Sequence, residues 1–141
     1  MRRIVFCSLA LLAVSACART APSVSRTPDQ VVTVAGTGQQ VVLSGEMTTS
    51  RITVGNNTEP RHDLVVRVNG QPAVSGTLVT YGATRLDGRA GVMPVEANCQ
   101  STEIGHADRQ FNCIVSLNGQ AAGTMAFRAS PVGPLPPVVG G

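Results

Sequence analysis

The chain has 141 residues, 43 % of them apolar, 13 % charged and 3 % aromatic, with no Trp, and all eleven basic residues are Arg. That permits one small packed domain with tails, and excludes a coiled coil, a Lys-rich nucleic-acid arm and a long acidic disordered segment. The formal charge of +3 falls to +1 from Cys17 onward, where nine Arg meet eight acids, and no stretch interleaves Arg with stacking aromatics; no nucleic-acid partner is expected.

Arg2 and Arg3 form a positive start, followed from Ile4 to Ala16 by thirteen mostly apolar residues. A spanning helix needs about 20 such residues, so the run has the length of a secretory signal instead. It closes on Val14-Ser15-Ala16-Cys17, which resembles the lipobox of bacterial lipoproteins. That resemblance implies cleavage before Cys17, a diacylglycerol on its thiol and often a further acyl chain on the new amine. Two or three acyl chains hold a protein at a membrane almost permanently, because each buried methylene adds about 0.8 kcal/mol. The alternative is an ordinary signal cut near Ala16, leaving a soluble periplasmic protein. The enteric sorting rule of this class retains proteins with Asp after the Cys at the inner membrane. Here Ala18 follows, which directs the expectation to the bacterial cell envelope, on the periplasmic face of the outer membrane.

Residues 18–29 are small, polar and Pro-containing, and read with Cys17 as a tether. From 30 to 130 the pattern is that of short strands. Val31-Val32, Val41-Val42 and Val65-Val66 recur, punctuated by the turn clusters Gly36-Thr37-Gly38, Gly55-Asn56-Asn57, Asn69-Gly70, Asp87-Gly88 and Asn118-Gly119. No sustained helical repeat is present. The expected fold is all-β: a small antiparallel sandwich, immunoglobulin-like, or a partly open barrel, with disordered tails. Four segments follow: a signal at 1–16, a lipidated N-terminus and tether at 17–29, a β domain at 30–130 and a tail at 131–141.

Two hairpins are explicit. Leu64, Val66 and Val68 alternate with polar neighbours up to Asn69-Gly70, and Phe111, Cys113, Val115 and Leu117 do so up to Asn118-Gly119. Asn-Gly suits a two-residue type I′ turn, which needs φ > 0 at both central positions. In that register Arg67 faces Pro72, which has no N–H to donate, so the strand starting at Gln71 should border a sheet. Gln71, Pro72, Ala73 and Val74 are therefore candidates for edge-strand binding. The hairpins also share the run Asn-Gly-Gln at an offset of 49 residues; shared turn chemistry is the preferred reading, and an internal duplication is the alternative.

With Cys7 in the signal and Cys17 lipidated, Cys99 and Cys113 remain in an oxidising compartment, and a structural disulfide is expected. Met93, Val95, Ala97 and Cys99 share one strand face, as do Phe111, Cys113, Val115 and Leu117, with Met125 and Phe127 expected beside them. Residues 131–141 hold four Pro and three Gly and read as a loose tail that cannot continue a sheet.

Chemistry is sparse. His62 reads as a turn residue beside Arg61 and Asp63, and His106 sits near Glu103 and Asp108, a set that could hold a weak metal or move a proton. No H-E-x-x-H, G-x-S-x-G or P-loop pattern occurs. No catalytic residue, cofactor or metal ligand is assigned. The C-terminal half, through Cys99, Cys113, Val115, Gly119, Ala122 and Phe127, resembles small proteobacterial envelope lipoproteins with a C…C-x-V-x-x-x-G-x-x-A-x-x-x-x-F ending, although the acidic hairpin of that pattern is missing. The architecture also resembles the alphaproteobacterial curli-assembly chaperone, a periplasmic immunoglobulin-like sandwich. The expectation is a membrane-anchored envelope lipoprotein whose non-catalytic β domain serves binding or assembly, with a protein partner in the envelope. An inhibitor or chaperone that caps a client by edge-strand addition is the alternative, and a metal-dependent or hydrolytic enzyme using His106 is the third reading.

Overall fold

A computed structural model describes residues 22–106 and 108–130, and the backbone of 133–135. The Val-rich alternation folds into ten strands and no helix among these residues: β1 (Ser23–Arg26), β2 (Gln30–Thr33), β3 (Gln40–Val54), β4 (Asn57–Val68), β5 (Gln71–Leu78), β6 (Gly82–Ala90), β7 (Met93–Glu103), β8 (Arg109–Leu117), β9 (Gln120–Ser130) and β10 (Gly133–Leu135). They form two antiparallel sheets, one ordered β1-β3-β4-β5 with β2 also against β3, the other ordered β10-β9-β8-β7-β6. This is the expected β-sandwich, and it is not closed into a barrel. Within each sheet the main strands follow one another as hairpins, and the chain passes between sheets at Val79–Tyr81. The strand exchange of an immunoglobulin Greek key is therefore not made among the described residues.

Period-two patterning places the core. Val41, Leu43, Met47, Leu64, Val66, Val68, Val74 and Leu78 face inward from the first sheet. Val95, Ala97, Cys99, Phe111, Cys113, Val115, Leu117, Met125 and Phe127 meet them from the second. Cys99 and Cys113 are directly opposed across β7 and β8 and joined by a disulfide, with Cα atoms 4.0 Å apart. Gly45 is the small residue that lets the sheets meet here: a Cβ on it would lie 2.6 Å from Met125 Sδ and 2.7 Å from Phe127 Cζ.

Both Asn-Gly turns take the expected form, with φ of 50° and 79° at Asn69 and Gly70, and 51° and 76° at Asn118 and Gly119. Each is followed by a bulge at the same place. Val66 opposes Val74 and Arg67 opposes Pro72, leaving Ala73 extra, while Val115 opposes Gly123 and Ser116 opposes Ala121, leaving Ala122 extra. The likeness extends through the sheets. Leu43 pairs with Val68 as Val95 pairs with Leu117, and Met47 pairs with Leu64 where Cys99 pairs with Cys113. Even the border strand is matched, since Ser25 lies opposite Met47 and Thr84 opposite Cys99. The sandwich is one four-stranded meander built twice, its first border strand broken into β1 and β2 around Pro28. At that break Thr27 keeps the ladder satisfied: its N–H donates to the Gly45 carbonyl, and its hydroxyl accepts from the Gly45 N–H.

Four expectations need correction. β1 lies inside the stretch read as a tether, so the sheet begins by Ser23; Ser and Arg pair in a border ladder as well as Val does. β10 lies inside the stretch read as a loose tail, paired with β9 at the sheet border, the one place where Pro134 is tolerated. Asp87-Gly88 is not a turn but the interior of β6; the reversal falls at Gly91-Val92, where Gly91 has φ of 63°. His62 is not a turn residue but an inward position of β4, 1 % exposed. Cys17, the signal and residues 136–141 lie outside the described residues.

Candidate functional site

β3 and β4 run past their neighbours at one end of the sandwich. The last β1 partner on β3 is Thr49 and the last β5 partner on β4 is His62, yet the β3–β4 ladder continues from Ser50↔Arg61 to Val54↔Asn57. The projecting ribbon, residues 51–60, is exposed throughout. It overhangs a recess of about 280 Å³ lined by Arg51, Thr58, Glu59 and Pro60 from the ribbon, His62 from β4, Thr80 and Tyr81 from the crossover, Arg109 from β8, and Ala129 and Ser130 from β9.

Two polar side chains at this recess are buried. His62 stands against Phe111 with ring centroids 4.7 Å apart, and its Nδ1 is 3.1 Å from the Thr49 hydroxyl. Its Nε2 is buried with no hydrogen-bond partner. Burial pushes the His62 pKa below the ordinary imidazole value; the Asp63 carboxylate acts in the opposite direction, and the charge of Arg109 adds to the lowering. The ring is thus neutral at physiological pH.

Arg109 is 9 % exposed. Its Nε donates to the Ser101 hydroxyl at 3.0 Å, and that hydroxyl donates to the Thr80 carbonyl at 2.7 Å. The guanidinium lies 4.5 Å from the centroid of the Tyr81 ring, a cation–π contact made by a ring that is itself 77 % exposed. The carboxylate facing it is that of Glu103, 3.8 Å from Nη1 on a largely exposed side chain. A nearly buried charge needs such partners, and here a hydroxyl, an aromatic face and a looser carboxylate share the task.

The residues singled out from sequence fall elsewhere. β5 does border its sheet, and Arg67 does oppose Pro72. Gln71 and Pro72 are exposed, but Ala73 and Val74 are both buried, the bulge having turned them inward together. The backbone of β6 also crosses there: a Cβ on Gly88 would fall 1.9 Å from the Ala73 carbonyl oxygen. A client strand laid along β5 would have to displace β6 at that point. His106 is exposed in the β7–β8 connection, which Ile104 N–H closes onto the Asp108 carbonyl, and among the described residues no three His, Cys, Asp or Glu side chains gather to hold a metal. A second groove of about 350 Å³, between the β1–β2 break and the outer face of β8 and β9, is lined by no charged residue.

Sequence reasoning passed over Arg109, Tyr81 and Arg51. Parity carried a usable signal for two of the site's members: Arg109 shares its strand face with Phe111, Cys113, Val115 and Leu117, and His62 shares its face with Leu64, Val66 and Val68. A cation and an imidazole in line with a core are the unusual observation.

No protein-family model, curated protein or solved structure matches the chain.

Proposed function

We propose that this is a lipid-anchored envelope protein whose β-sandwich is a non-catalytic binding domain, with the recess beneath the β3–β4 ribbon as its ligand site. The observation that carries the reading is a buried imidazole whose Nε2 lacks a partner, set beside a nearly buried guanidinium held by Ser101, Tyr81 and, more loosely, the Glu103 carboxylate. An unmade buried hydrogen bond costs about 1–3 kcal/mol, and such groups in a recess are what a ligand completes. The recess has a binder's composition, with fixed donors and an exposed aromatic. The anchor rests on the lipobox ending at Cys17.

Two measurements test the two halves. Produced in a bacterial host that processes lipoproteins, the chain should partition with membranes and give a mass for the Cys17 peptide raised by a diacylglycerol. Cys17→Ala should release it to the soluble fraction, and an unmodified Cys17 would remove the anchor from the reading. For the domain, His62 and Arg109 side-chain resonances should shift together and saturably when a pool of small envelope metabolites is added. Shifts confined to the outer sheet faces would remove the recess.

A further inference from the structure

The second sheet is open along one border, and it is not the border that the Pro72 register pointed to. β5 is closed to an added strand by the crossing of β6, whereas β10 pairs with β9 only at Arg128, Ala129 and Ser130. Over 120–127 no described strand pairs with β9 on that side. The backbone groups that face the gap can be named. Pro134, which has no N–H, opposes Ala129, and Gln30 Nε2 donates to the Thr124 carbonyl across the gap at 2.7 Å. Alternate residues of a strand point their N–H and C=O the same way, so Thr124 and Ala126 present theirs to the open border, in line with Arg128. Gln30 Nε2 stands where the N–H of a neighbouring strand would be.

We propose that this open border is a docking site for an extended segment of a partner protein, which adds to β9 as a strand in the line of β10. The site does not rest on the recess. The continuity of the sheet fixes its place. β1 stands against β10 and β2 against β9, so a strand set beyond Leu135 would lie across the β1–β2 break as β10 lies across β1. The space is there: the groove of about 350 Å³ runs between Thr27, Pro28 and Gln30 on one side and Thr124 and Ala126 on the other. Its lining carries no charge and includes the half-exposed Ile114, which selects uncharged, β-branched or apolar side chains, because an unpaired charge is costly to bury. The backbone selects residues other than proline opposite Thr124 and Ala126. The sequence after Leu135 does not meet that requirement: in register Pro137 would oppose Ala126, with no N–H for its carbonyl.

The test titrates the peptide acetyl-Thr-Val-Thr-Val-Thr-amide into the full-length chain in detergent micelles, read by backbone amide resonances and hydrogen exchange. Thr124 and Ala126 should shift saturably and exchange more slowly, while Met125 and Phe127, whose amides face β8, keep their rates. Of two versions of the peptide N-methylated on alternate amides, one should bind roughly tenfold or more weaker and the other unchanged, because only one set of N–H groups faces β9. Ala126→Pro should keep a dispersed spectrum, since the lost N–H points away from β8, and should abolish binding; should that variant unfold, the methylated pair decides. No shift at Thr124 or Ala126, or equal binding of the two methylated peptides, would overturn strand addition. Binding only after removal of residues 136–141 would make the chain's own C-terminus the occupant. A dimer in sedimentation that Ala126→Pro dissolves would make it a second copy. Either result would overturn the partner.

Discussion

Gly88 carries no side chain because another backbone occupies the space. It sits inside β6, with a normal strand conformation, and a Cβ there would fall on the Ala73 carbonyl oxygen. Gly88→Ala should therefore lose about 1–3 kcal/mol, the usual cost of overpacking, seen as a lower denaturation midpoint in urea. The adjacent Asp-Gly pair looks like a turn in the sequence; only the approach of β5 explains the glycine, and that is a tertiary fact. His62 makes a second residue-scale prediction. Its native pKa lies below the 6.5 of the unfolded chain. Stability is thus complete above pH 6.5 and falls as the pH drops below it, because the unfolded state takes up a proton that the native state refuses. The loss levels off only once native His62 also protonates. Melting temperature should decline from pH 7.5 to 5, and His62→Gln should flatten the decline; an unchanged slope would contradict the buried neutral ring.

At the scale of the element, the disulfide and the projecting ribbon behave oppositely. Cys99 and Cys113 face each other in adjacent strands and close a loop of separation 14. Replacing Cys99 by Ser should lower stability by about 3 kcal/mol on the chain-entropy account, read as a fall in melting temperature. The ribbon contributes almost no buried surface, and a two-stranded hairpin is marginal by itself. Amides of Ile52, Thr53, Thr58 and Glu59 should exchange with solvent far faster than those of Leu64 and Val66, and shortening the ribbon should cost little stability while removing one wall of the recess. The strands, both Asn-Gly turns, the Pro72 register and the cystine pair were legible because each depends on neighbours within a hairpin: period two, a φ > 0 requirement, or a missing N–H. What stayed illegible depends on meetings between sheets. Nothing within β4 says that His62 will touch Phe111, and nothing within β8 says that Tyr81, from the crossover, will cover Arg109. Border pairings were misread for the opposite reason: β1 and β10 need no apolar alternation, so the composition of their segments resembled that of a tail.

For the molecule as a whole, the doubled meander sets how the chain must assemble. Each half is a run of sequential hairpins, and the described chain changes sheet at Val79–Tyr81, so the two halves can form from local pairings before they meet. The doubling also shows where they differ. The first half carries Thr49 and His62 at the places where the second carries Ser101 and Phe111, and it carries Met47 and Leu64 at the places of the cystine. Of these, only His62 in place of Phe111 exchanges a polar side chain for an apolar one, and it lies at the recess end, one matched layer beyond the cystine.

The direction of β1 has its own consequence. Ser23 pairs with Thr49, so the polypeptide enters the sandwich at the ribbon end, while Val92 and both Asn-Gly turns lie at the other. From the proposed attachment at Cys17 to Ser23 the backbone can stretch roughly 20 Å at most. On so short a leash the opening beneath the ribbon would look down onto the leaflet, and a solute would reach it only through the thin layer of water against the lipid head groups. A thiol placed at position 54 in reconstituted vesicles should then react sluggishly with a bulky, membrane-impermeant maleimide, and one at position 92 quickly; equal rates would mean that the domain stands clear of the bilayer or lies on its side.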